Sequence, residues 1–137
     1  MATASATLEL PIPADVVWNL IGGFGSLPDW LPYIPHSELS EGGRIRTLAN
    51  PNGDAIVERL IAFDHVGRSY SYAILKAPFP VVDYHSSLHV LETEAGSKVV
   101  WSGVFTPAGS SDADAIALFE GIYTEGLRSL ARKMETN

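Results

Sequence analysis

"SDADAIALFEGIYTEGLRSLARKM", residues 111–134, is the stretch of this chain in which apolar residues return at helical spacing over many turns. Ile116, Phe119, Tyr123, Leu127, Leu130 and Met134 lie three or four apart, which gathers them into one stripe along a helix. Asp112 and Asp114 fall in the first turn and Arg132 and Lys133 in the last, the arrangement the helix dipole favours. The spacing therefore predicts one long helix with an apolar stripe that must be buried against another element. Its interior glycines, Gly121 and Gly126, cost about 1 kcal/mol each relative to alanine. Glycine at these positions either lets the helix approach its partner closely or leaves space beside it.

The partner is upstream. Residues 37–107 read as strands separated by turn signals. "SELSEGGRIRTLANPNGDAIVERLIAFDHVGRSYSYAIL" (37–75) breaks at Gly42-Gly43, at Pro51-Asn52-Gly53 and at Gly67. "PVVDYHSSLHVLETEAGSKVVWSGVFTPAG" (80–109) breaks at Ala95-Gly96 and at Pro107. Six strands result, joined mostly by short turns, so they should pair antiparallel. A seventh comes first: Ala4, Ala6, Leu8 and Leu10 alternate with Thr3, Ser5, Thr7 and Glu9, the pattern of a half-buried strand. After it, Pro13 opens a short helix carrying Val17, Leu20 and Ile21 on one side. "GGFGSLPDWLPYIP" (22–35) is too rich in glycine and proline for more than short helical turns. The fold class expected is α+β, with a curved seven-stranded antiparallel sheet wrapped around the C-terminal helix and two short helices after the first strand.

At 137 residues the chain is long enough for one substantial core, so a single domain spanning 1–137 is expected. A net charge of −7 with only nine lysines and arginines, scattered, argues against nucleic acid as a partner. There is no cysteine, hence no disulfide framework or thiol chemistry. No apolar run reaches the ~20 residues of a membrane span. The start, "MATASATLEL", lacks the charged and apolar regions of a secretory signal, so a cytoplasmic setting is expected. A homodimer is compatible with these expectations.

The order of elements resembles the helix-grip fold of the START and birch-pollen-allergen (SRPBCC) superfamily over nearly the whole chain. The closest resemblance is to bacterial polyketide cyclase/dehydrase-like and lipid-transport proteins. It rests on "VWNLIGGFGSLPDWLPYI" (17–34), "ERLIAFD" (58–64), "RSYSYAIL" (68–75), "PVVDYHSSL" (80–88), "VVWSGVFTP" (99–107) and "IYTEGL" (122–127). The resemblance implies a cavity between sheet and C-terminal helix that holds a small hydrophobic or aromatic molecule, polyketide- or lipid-like. The pattern is also similar to that of plant abscisic-acid receptors, which implies pocket positions at Glu58, Tyr84 and Ser86. "LANPNGDA" (48–55) stands in place of those receptors' gate loop, and no lysine stands near Leu31.

"AIVERLIAF" (55–63) sets Glu58 and Arg59 side by side in an apolar run. In a strand the two must point to opposite faces. Alternation groups Glu58 with Ile56, Leu60 and Ala62, and Arg59 with Val57, Ile61 and Phe63. Both faces can be buried, so periodicity does not choose; the resemblance puts Glu58 inside. An inward carboxylate needs an arginine, a tyrosine or water as partner, or its pKa rises. Around it, alternation and helical phase send Phe24, Trp30, Tyr72, Tyr84, Trp101, Phe119 and Tyr123 toward the gap between sheet and helix, with Ser86 and Leu127 beside them. These are the expected ligand-binding residues. In the alternative, enzymatic reading, Glu58 with Tyr72 or Tyr84 would move protons on the substrate.

Cofactors and metals are not expected. Gly22–Gly25, "GGFG", lacks the Lys-Ser/Thr continuation of a phosphate loop. His85 and His89 share a strand face opposite Tyr84, but four residues of strand hold them ~13 Å apart. The loops at 22–25, 48–54 and 76–81 are expected to ring the mouth of the cavity.

Overall fold

The computed structural model describes residues 1–49 and 52–135. Strand β1 (Ala2–Leu10) is followed by helix α1 (Ala14–Ile21) and a short 3₁₀ turn at Leu27–Asp29. Then come β2 (His36–Ser40), β3 (Ile45–Ala49), β4 (Ala55–Asp64), β5 (Ser69–Lys76), β6 (Val81–Thr93) and β7 (Gly96–Pro107). Helix α2 (Asp112–Glu135) ends the described chain. All seven strands form one sheet in the order β1-β7-β6-β5-β4-β3-β2, with every neighbour antiparallel. This is the expected α+β helix-grip arrangement. Asn50 and Pro51, in the loop expected near the cavity mouth, lie outside the described residues.

From β2 to β7 the chain simply meanders, as short turns between alternating segments require. β1 breaks the sequence order by pairing with β7. The first and second strands are thus opposite edges of the sheet, and residues 11–35 carry the chain from one edge to the other. Here the sequence supplies α1, then prolines and glycines that keep the remainder out of regular structure. The crossing delivers Leu27, Trp30, Leu31 and Ile34 to the interior, all buried.

α2 begins where Ser111 accepts the Asp114 backbone N–H on its hydroxyl oxygen at 3.1 Å, satisfying one of the helix's free donors. Its buried stripe includes Phe119, Tyr123, Leu127, Leu130 and Met134, as the spacing predicts. Each such side chain contributes about 1.5–3 kcal/mol by leaving water. The helix lies chiefly against β1 and, less extensively, β7. Gly126 permits this approach: a Cβ there would come within 2.6 Å of the Trp101 ring and 2.9 Å of the Tyr33 hydroxyl. Because α2 leans on one side of the sheet, the inner face of β3, β4 and β5 is left without a helix directly over it.

Candidate ligand-binding cavity

In the β3–β4 hairpin Arg46 stands directly opposite Glu58. Cross-strand partners share a sheet face, and here that face is the inner one. Arg46 is 1% exposed and Glu58 6%, and Arg46 Nε donates to Glu58 Oε1 at 2.8 Å. Arg59 points outward and is exposed. Alternation along β4 stops at a bulge between Leu60 and Ala62, and Ala62 is exposed rather than inside with Glu58.

The guanidinium is held on several sides. Its Nη1 donates to the Phe24 carbonyl at 3.0 Å and to the Tyr70 hydroxyl at 3.2 Å. Its carbon sits 4.2 Å from the centre of the Phe24 ring and 4.7 Å from that of Tyr72, where the faces of the rings attract a cation. Burial pushes the Glu58 carboxyl above the ordinary glutamate range, and the Arg46 charge pulls against it. Burial also acts to lower the pKa of Arg46, but Tyr70 and Glu58 more than offset it, so its charge is permanent. Glu58 Oε2 and Arg46 Nη2 make no hydrogen bond among the described residues.

This pair forms part of the wall of a cavity of about 230 Å³. The inner face of the sheet contributes Arg46, Leu48, Ile56, Glu58, Tyr72 and Trp101. The crossing segment adds Leu27, Leu31, Tyr33 and Ile34, the β5–β6 loop adds Phe79, and α2 adds Phe119 and Ile122. Tyr33, Phe79 and Ile122 are half-buried and mark the side nearest solvent. Tyr33 donates its hydroxyl to the Ile122 carbonyl at 3.3 Å, tying the crossing segment to the helix at this rim.

Of the side chains expected to contact a ligand, Glu58, Tyr72, Trp101 and Phe119 are on the cavity wall. The other six are not. Phe24 lies against the Arg46 guanidinium, and its loop, 22–25, serves that charge instead of the mouth. Trp30 packs on Trp101 with ring centres 5.8 Å apart. Tyr84, Ser86, Tyr123 and Leu127 are buried behind the wall. There the Tyr84 and Tyr123 hydroxyls bond each other, and Ser86 donates to the Ser102 carbonyl at 2.7 Å. The close seat of α2 on β1 and β7 removes the space that a ligand would need beside them. Tyr72 joins both regions, facing the cavity while accepting the Trp101 indole N–H at 3.1 Å. Burial pushes the Tyr72 and Tyr84 phenols well above their ordinary range, so both stay protonated. His85 is exposed and His89 half-buried on the outer side of β6.

Sequence reasoning did not single out Arg46, Leu48, Ile56, Phe79 or Ile122. For Arg46 the available signal was pairing register: a hairpin centred on Asn52 sets position 46 opposite position 58.

A curved antiparallel sheet, a long C-terminal helix seated on one side of it and a small cavity between them define a helix-grip protein. By sequence, the chain belongs to the polyketide cyclase/dehydrase and lipid transport family, whose profile matches residues 1–135. Among solved structures it is similar to the protein XoxI of Bacillus cereus, at 55% identity and a TM-score of 0.92, over 95% of this chain and 93% of that one. It is also similar to an uncharacterised protein of Bacillus thuringiensis, at 53% identity and a TM-score of 0.92, over 94% and 96% of the two chains. Ara h 8.0201 shares the fold at 16% identity, with a TM-score of 0.77 over 98% of each chain. Comparison with curated proteins gives no match.

Proposed function

We propose that the protein binds one small hydrophobic or aromatic molecule in the cavity between the sheet and α2. The observation that carries this reading is the lining: hydrocarbon and aromatic side chains, with Arg46, Glu58 and the phenols of Tyr33 and Tyr72 as its polar members. Ligand sites are built this way, apolar for affinity with a few placed polar groups for orientation. The volume of about 230 Å³ falls below the ~300–1,000 Å³ of sites for drug-sized ligands. It suits a molecule of one or two rings, or a short chain, better than a long lipid. The lack of cysteine fits a cytoplasmic setting.

The enzymatic alternative, a cyclase or dehydratase, draws on Glu58 and Tyr72, both of which line the cavity. One observation favours binding over catalysis: the Tyr84 hydroxyl is bonded to that of Tyr123.

The test is a titration with methylnaphthalene followed by backbone amide NMR. Shifts should saturate at one equivalent and centre on Leu48, Ile56, Phe79, Trp101 and Phe119. Ile122→Trp, which fills the rim from the helix side, should weaken binding by at least about tenfold, equivalent to ~1.4 kcal/mol. Absence of saturable shifts at these residues with methylnaphthalene and with its hydroxyl- and carboxyl-bearing counterparts alike would refute the reading.

A further inference from the structure

We propose that the cavity selects an apolar molecule bearing a neutral group that both donates and accepts a hydrogen bond, above all a hydroxyl, and that it rejects carboxylates. This rests on the binding reading above and names the ligand's polar group. Among the described residues Arg46 and Glu58 are the only charged ones in the lining, and they neutralise each other at 2.8 Å. The arginine is therefore not a free anion site. Its Nε is taken by Glu58, its Nη1 by the Phe24 carbonyl and the Tyr70 hydroxyl, and its faces by the rings of Phe24 and Tyr72.

Among the described residues the pair leaves open one acceptor, Glu58 Oε2, and one donor group, Arg46 Nη2. A ligand hydroxyl can donate to the first and accept from the second, and an amide can do the same. A bare hydrocarbon leaves both unanswered. A carboxylate could accept from Nη2, but it would place a second anion beside Glu58 with the arginine charge already spent. Like charges brought together in a site out of water are strongly unfavourable. An ammonium group meets the converse problem at Arg46. The remaining wall, from Leu27, Leu31, Ile34, Leu48 and Ile56 to Phe119, has no charge to offset either ion.

Three probes of the same ring system, substituted at the same carbon, separate the possibilities: naphthol, methylnaphthalene and naphthoate. Binding to the wild-type protein at neutral pH is followed by the same amide shifts. Naphthol should bind about tenfold or more tighter than methylnaphthalene, the effect of one hydrogen bond to a charged partner. Naphthoate should bind at least about tenfold more weakly than naphthol. In Glu58→Gln the arginine loses its counter-ion, so the order of naphthol and naphthoate should reverse. The wild-type series decides the matter even if that variant does not fold. Equal affinities for naphthol and methylnaphthalene, or tighter binding of naphthoate, would overturn the proposal while leaving the cavity a binding site. Failure of all three to shift cavity residues would overturn the binding reading and this proposal together.

Discussion

Arg46 and Glu58 each carry a charge that, buried alone, would cost several kcal/mol. They persist inside because each answers the other at 2.8 Å and because Phe24, Tyr70 and Tyr72 complete the surroundings of the guanidinium. Arg46→Met keeps most of the volume and removes the partner. At neutral pH it should destabilise the protein by about 3–5 kcal/mol, the usual cost of orphaning one member of a buried pair. The pH dependence has a definite sign. Burial already raises the Glu58 pKa, and loss of Arg46 removes what pulls it down. A carboxyl raised in the folded state adds stability below its unfolded pKa of ~4.3 and loses it as pH rises through the folded value. The penalty of Arg46→Met should therefore be smallest in acid and grow toward neutrality. Urea denaturation of both proteins across that range measures it. A penalty independent of pH would mean that Glu58 is not the group left unpaired.

Helix α2 carries two interior glycines that look alike in sequence and differ in surroundings. A Cβ on Gly121 would meet nothing within 4 Å, whereas one on Gly126 would strike the Trp101 ring. Gly121→Ala should stabilise the protein by about 1 kcal/mol through helix propensity alone. Gly126→Ala gains the same propensity but must displace α2 or Trp101, and should be net destabilising. Chemical denaturation of the two variants checks both signs. Helical spacing in 111–134 and alternation in 3–10 and 37–107 make the elements readable from the sequence alone. The bulges at Val57/Glu58, Leu60/Ala62 and Val82/His85 were not readable in that way, because they depend on pairing between strands. Arg46 escaped for the same reason. On its own strand it reads as a solvent-facing charge, and only the hairpin register reveals Glu58 across from it. Tyr84, Ser86 and Tyr123 do point into the gap between sheet and helix, as alternation and helical phase imply. Periodicity could not tell that α2 sits close enough there to leave their hydroxyls bonding within the protein.

The whole molecule sets where the cavity lies. β1 pairs with β7, and α2 packs chiefly on those two strands, so that side of the interior closes into a core of interlocking rings. Tyr84, Phe105 and Phe119 meet there at 4.8–6.0 Å between ring centres. The opposite side, over β3 to β5, is roofed by the crossing segment at 27–34, by Phe79 and by the flank of α2, and the roof does not fill the space. The buried charge pair stands on that emptier side. A crystal structure of the protein grown with naphthol tests this account most directly. It should show the ring system between Ile56, Trp101 and Phe119, with the hydroxyl oxygen within ~3.2 Å of the Glu58 carboxylate. Naphthol seated on the outer face of the sheet, or lying in the cavity with its hydroxyl turned away from Glu58 toward solvent, would contradict it.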